Sequence, residues 1–73
     1  MKLKQNALTT SSLHALIRRK KFGSFIIDYL HEDTTEAEIN EKLRPIFDVP
    51  GEEVKEAVAD MLAALRKLDA LDE

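Results

Sequence analysis

From Val54 to Leu68 an apolar side chain returns every three or four residues, at Val54, Val58, Met61, Leu62, Leu65 and Leu68. That spacing draws one continuous stripe down an α-helix, and a stripe of this length must find an apolar surface to lie against. Ala57, Ala63 and Ala64 raise helix propensity around it, and Glu52 and Glu53 put negative charge where a helix begins. A chain of 73 residues has room for one core, so whatever else folds must fold onto this helix. The expected organisation is a single domain over 1–73. It comprises a basic N-terminal segment, 1–21, strand or helix, and a three-helix unit, 22–73.

Two shorter helices precede the long one. Phe22, Phe25, Ile26, Tyr29 and Leu30 recur at helical spacing and leave Ser24, Asp28 and His31 on the other side. Gly23 would cost about 1 kcal/mol inside a helix, so it marks the entry, with the helix starting near Ser24. Thr35 stands three residues before Glu38, a capping-box spacing in which each side chain satisfies the other's free backbone amide. The helix it opens carries Ile39, Leu43, Ile46 and Phe47 on one face until Pro45 kinks or ends it, and Asp48 to Gly51 reads as a turn.

The ends are less marked. Met1 to Leu8 alternates too weakly to assign, and the hydroxyl tract Thr9 to Ser12 reads as a loop or turn. From Leu13 to Lys21 two patterns compete: Leu13, Leu16 and Ile17 fit a helix stripe, whereas Leu13, Ala15 and Ile17 alternate as a strand does. After Leu68 only Ala70 and Leu71 are apolar, and the chain is expected to fray into acid.

Charge is segregated along the chain. Residues 1–27 carry six cations and no acid, while 28–73 carry five cations and all 14 acids, a net of −9. Such a dipole suits a basic arm for nucleic acid, but equally two ends of one domain that attract each other or a symmetry mate. The absence of cysteine excludes disulfides and thiolate metal sites, and nothing reads as a secretory leader, so a reducing cytoplasm is expected. No apolar run approaches the roughly 20 residues of a membrane span.

Residue types suited to catalysis are scarce, and no enzyme activity, cofactor or metal is expected. His31, Glu32 and Asp33 are consecutive and point in different directions, which does not make a ligand set. Glu52, Glu53, Glu56 and Asp60 read as the wet face of the long helix. An acyl carrier would need a serine in an Asp-Ser-Leu context, and Gly23-Ser24-Phe25 reads instead as a helix cap at Ser24. The run Arg18-Arg19-Lys20-Lys21 supports an alternative function, a small helix-turn-helix-like nucleic-acid-binding regulator. The acids on the other helices, Glu36, Glu38, Glu41 and those just named, argue against it because a duplex would repel them. A third reading is an oligomerisation or toxin–antitoxin-like partner domain.

Gly23-Ser24, Tyr29-Leu30, Thr35 with Glu38, Phe47-Asp48-Val49, then Glu52-Glu53-Val54 and the run Val58 to Leu68 with Leu71 follow one another in an order that resembles the PqqD-like family. These are the precursor-peptide recognition elements of ribosomal peptide modification, and the resemblance covers about residues 22–73. It implies a mainly α, three-helix, winged-helix-like domain with a short N-terminal β-hairpin or strands. It also implies a non-catalytic peptide-binding module that takes a precursor (leader) peptide as an added strand and presents it to a modifying enzyme such as a radical S-adenosylmethionine enzyme. Carried over by position, the binding edge would lie in Leu13 to Arg19, with Leu13, Ala15, Ile17, Arg18 and Arg19. Val54, Val58, Met61, Leu62 and Leu65 would finish the groove, although that stripe must also serve as core. The family's three N-terminal strands hardly fit into the 22 residues ahead of Gly23, which leaves a core face that a second copy could cover as a homodimer, with N-terminal segments exchanged.

Overall fold

The computed structural model describes residues 1–5 and 11–73. In chain order these form β1 (Lys2–Leu3), α1 (Ser11–Arg19), α2 (Gly23–Tyr29), α3 (Glu36–Leu43), α4 (Gly51–Lys67) and β2 (Leu71–Asp72). The molecule is mainly helical, as expected, and α2, α3 and α4 are the three helices anticipated over 22–73. A fourth, α1, occupies the segment that the sequence left open between strand and helix.

The long stripe behaves as its spacing requires. Val54, Val58, Met61, Leu62 and Leu65 are wholly buried on one face of α4, and Glu52 and Glu53 at its start and Arg66 and Lys67 at its end complement the helix dipole. Ile39 and Leu43 of α3 and Ile26, Ile27 and Leu30 of the α2 region join them in one core cluster. Two expectations are corrected here. In α2, Ile27 turns inward and Phe25 is 40% exposed, because a seven-residue helix aims its two adjacent isoleucines at α4. Phe25 instead stacks edge-on against Phe47, which also meets Phe22 at a centroid distance of 4.2 Å. In α3 the helix stops at Leu43, before Pro45, and Ile46 beyond it faces solvent.

Thr35 caps α3 as predicted, its hydroxyl accepting from the Glu38 N–H at 3.2 Å. The reciprocal half of the box is redirected: the Glu38 carboxylate accepts from the hydroxyl of buried Thr34 at 2.9 Å. Ser24 is not a cap. The position before α2 belongs to Phe22, in the left-handed region at φ 60°, and Ser24 is already the second helical residue.

The strand reading of Leu13 to Arg19 is overturned. Leu13 is buried, Leu16 and Ile17 pack against the core and Ala15 is exposed, so burial follows the helical spacing and not alternation. Ser11 and Ser12, expected in a loop, open this helix, whereas Thr9, Thr10, Ala7 and Leu8 lie outside the described residues. Leu13, Leu16 and Ile17 of α1 pack onto the core, chiefly beside α2. Gly23 makes this packing possible, since a Cβ there would stand 2.6 Å from the Ile17 carbonyl oxygen.

The C-terminus does not fray. Leu68 ends α4, Asp69 takes the left-handed conformation at φ 54°, its N–H donates to the Arg66 carbonyl at 3.0 Å, and the Ala70 N–H donates to the Leu65 carbonyl at 2.9 Å. These two bonds make a Schellman motif, with Asp69 in the place glycine usually fills. The reversal delivers Ala70 and Leu71 to the core and sets β2 antiparallel to β1, pairing Lys2 with Asp72 and Leu3 with Leu71. On its other side β1 is held by the Leu3 N–H donating to the Leu30 carbonyl and the Thr34 N–H donating to the Met1 carbonyl, both at 2.9 Å. Of the expected N-terminal hairpin or strands, the described residues hold one strand, β1, which pairs with β2 in a clasp between the two ends of the chain.

Two substitutions test these backbone constraints in opposite directions. Gly23→Ala forces α1 from α2 and lowers unfolding free energy by about 1–3 kcal/mol. Asp69→Gly relieves the left-handed residue and raises it by up to about 1 kcal/mol, since the exposed Lys4–Asp69 ion pair it removes is worth little. Urea denaturation followed by circular dichroism reads both; equal effects of the same sign would contradict the geometry.

Candidate functional site

The residues expected to bind a ligand separate into two groups. Val54, Val58, Met61, Leu62 and Leu65 are at 0% exposure and Leu13 at 2%, so the core uses their surfaces entirely. Ile17 is half-buried against the same core. Ala15, Arg18 and Arg19 stand on the outer side of α1, facing solvent. Among the described residues, the inner stripe of α4 therefore lines no groove.

A different groove does. It runs between α1 and the last turn of α4, has a volume of about 350 Å³, and is lined by Ser12, Ala15, Leu16 and Arg19 on one side and Ala64, Lys67 and Leu68 on the other. Leu68 is 44% exposed, one of few large apolar side chains so open. The Schellman reversal explains it. Leu68 continues the α4 stripe in sequence, but the helix stops there, and Ala70 and Leu71 cover the core in its place. A second hollow of about 510 Å³, lined by Ser11, His14, Ala15 and Arg18, adjoins the first through Ala15. Of the expected binding residues, Ala15, Arg18 and Arg19 border these hollows. Ser12, Leu16, Ala64, Lys67 and Leu68 were not singled out from sequence as ligand contacts, and only the reversal at Asp69 distinguishes Leu68 from core.

The charge dipole of the chain closes on itself. Lys20 pairs with Asp60 of α4 at 2.8 Å, Lys21 with Glu53, and Lys4 with Asp69 at 2.9 Å. Half of the basic run 18–21, Lys20 and Lys21, is thereby engaged within the molecule. Arg66 donates from Nε and Nη2 to the Glu73 carboxylate, and these bonds, with the guanidinium charge, hold that carboxyl below its ordinary value. Arg18, Arg19 and Lys67 have no carboxylate partner among the described residues, and residues 6–10 contain no acid that could supply one.

His31, Glu32 and Asp33 are exposed, and among the described residues no three His, Asp or Glu side chains come together as a metal-ligand set. No helix of the described residues is long and apolar enough to cross a membrane.

A search of curated proteins and a search of solved structures gave no match. A family model described as Coenzyme PQQ synthesis protein D (PqqD) matches residues 15–71. That span begins within α1, takes in all of α2, α3 and α4, and ends on the first residue of β2, so it includes every residue lining the groove except Ser12. With a match over most of its length, the chain belongs to the PqqD family.

Proposed function

We propose that this chain is a non-catalytic recognition module that binds a precursor (leader) peptide and presents it to a modifying enzyme, such as a radical S-adenosylmethionine enzyme. Membership of a family named for synthesis of coenzyme PQQ supports a place in biosynthesis. The observation that carries the reading is the groove between α1 and α4, a depression that brings exposed leucine, alanine and cations together. An apolar side chain of a bound peptide would lie on Leu16 and Leu68, and polar groups of its backbone or flanks would reach Ser12, Arg19 and Lys67.

Because α1 is a helix, the mode differs from the one expected of the resemblance. A helix has already satisfied its backbone groups internally and offers no edge for an added strand, so selection at this groove would come from side chains. The partners are a precursor peptide and its enzyme. The winged-helix reading of the fold rests on the family resemblance and belongs to this same proposal.

Titration of labelled leader peptides, taken from precursors encoded beside this chain, is expected to give saturable micromolar binding, about 8 kcal/mol. Backbone amide shifts should change along the outer side of α1 and around Leu68. No binding to any such leader overturns the proposal. Substitutions should separate the groove from the core. Leu62→Ala lowers stability by about 2–5 kcal/mol in urea denaturation, whereas Leu68→Ser, at a partly exposed position, lowers it by no more than about 1 kcal/mol and weakens peptide binding several-fold.

A further inference from the structure

We propose that the groove selects an acidic ligand segment, one in which an aliphatic side chain is flanked by carboxylates, with Arg19 and Lys67 each receiving one of them. The inference rests on the peptide-binding reading and specifies the chemistry of the peptide. Its first support is composition. The chain has 14 acids among 73 residues, yet not one lines either of the two adjoining hollows. Every charged residue there is a cation: Arg18 in the outer hollow, Arg19 and Lys67 in the groove.

The second support is pairing. Lys4, Lys20, Lys21 and Arg66 each meet a carboxylate of the chain itself, at Asp69, Asp60, Glu53 and Glu73. Among the described residues seven cations have no carboxylate partner, and three of them, Arg18, Arg19 and Lys67, stand together around the two hollows, whereas Lys2, Lys42, Arg44 and Lys55 line neither. Cations left unneutralised around an apolar floor, on a surface otherwise dominated by acids, form a local positive window. The net negative charge of the chain repels an acidic segment as a whole while this cluster attracts it, which orients it before contact. The apolar part of the groove sets the second requirement. Ala15 and Ala64 are small, so a peptide side chain can descend between the helices onto Leu16 and Leu68. Arg19 can hold a carboxylate through two parallel N–H donors, whereas Lys67 acts as a point charge.

A phosphate backbone would also be attracted to three cations, but it brings no aliphatic group for the exposed Leu68. A groove of about 350 Å³ is moreover at the lower end for ligand sites and suits a few side chains. The peptide is therefore the favoured occupant, and a nucleic acid is an outcome of the test.

The test uses the full chain and short synthetic peptides that share a central leucine pair and differ only in flanking residues, Glu, Gln or Lys, with the natural leader as a further ligand. Fluorescence anisotropy at low and high salt should rank Glu above Gln by about tenfold and Gln above Lys. The preference for Glu should shrink as salt rises. In the double variant Arg19→Glu with Lys67→Glu the ranking should invert in favour of the Lys-flanked peptide. That gain of binding cannot come from a misfolded protein. Equal affinity for Glu- and Gln-flanked peptides, or an unchanged ranking in the double variant, overturns the acidic requirement even while the natural leader binds. Failure of every peptide, the natural leader included, removes the peptide-binding reading and this inference together. Displacement of the Glu-flanked peptide by an equal concentration of a random-sequence DNA duplex identifies a phosphate-binding surface and likewise overturns it.

Discussion

Val54, Val58, Met61, Leu62 and Leu65 are shielded from water over their whole surface, and the remaining elements are held in place by what that shielding contributes. Burying each such side chain is worth roughly 1.5–3 kcal/mol, against about 1–2 kcal/mol of backbone entropy for every residue ordered. A small chain with no disulfide operates close to that balance. Its inner helix face therefore has one task. Side chains that complete the core at 0% exposure cannot also receive a ligand, and recognition is displaced to the outer rim, where α1 meets the end of α4.

The termination of α4 links stability to that rim. At Asp69 the chain turns through a left-handed residue, and two hydrogen bonds back to Leu65 and Arg66 close the helix. The same turn inserts Ala70 and Leu71 into the core, brings β2 beside β1, and leaves Leu68 on the surface. One local event thus ties the chain ends together and supplies the apolar floor of the groove. On the opposite wall, α1 reaches its position only because Gly23 lets the backbone of Ile17 approach so closely.

Electrostatics divides the basic residues by task. Three lysines of the acid-free N-terminal stretch reach across to carboxylates at Asp60, Glu53 and Asp69 and so fasten that stretch to α4 and its end. Such exposed pairs contribute little individually. Their arrangement matters more, because it leaves Arg18, Arg19 and Lys67 as a small cationic border around the groove in a chain of net negative charge. The charge segregation visible in the sequence is in this way resolved into an internal attraction and a remaining surface feature.

The sequence by itself determined α4, the start of α3 and the family. An apolar repeat of 3.6 residues sustained over four turns has only one regular solution, and Thr35 three residues before Glu38 is a local hydrogen-bonding pattern that needs no distant partner. It also carried the acid-free N-terminus and, with it, Arg18 and Arg19. Whether Leu13 to Arg19 is helix or strand was not decidable locally, since both periods fit a stretch so short, and the choice was made by the fit of Leu13, Leu16 and Ile17 against the core across Gly23. The clasp of β1 and β2 joins residues about as far apart as the chain allows and leaves no local pattern. Leu68 shows the division most directly. Its spacing made it core, and only the packing of Ala70 and Leu71, which the backbone reversal at Asp69 permits, turned it out to the surface.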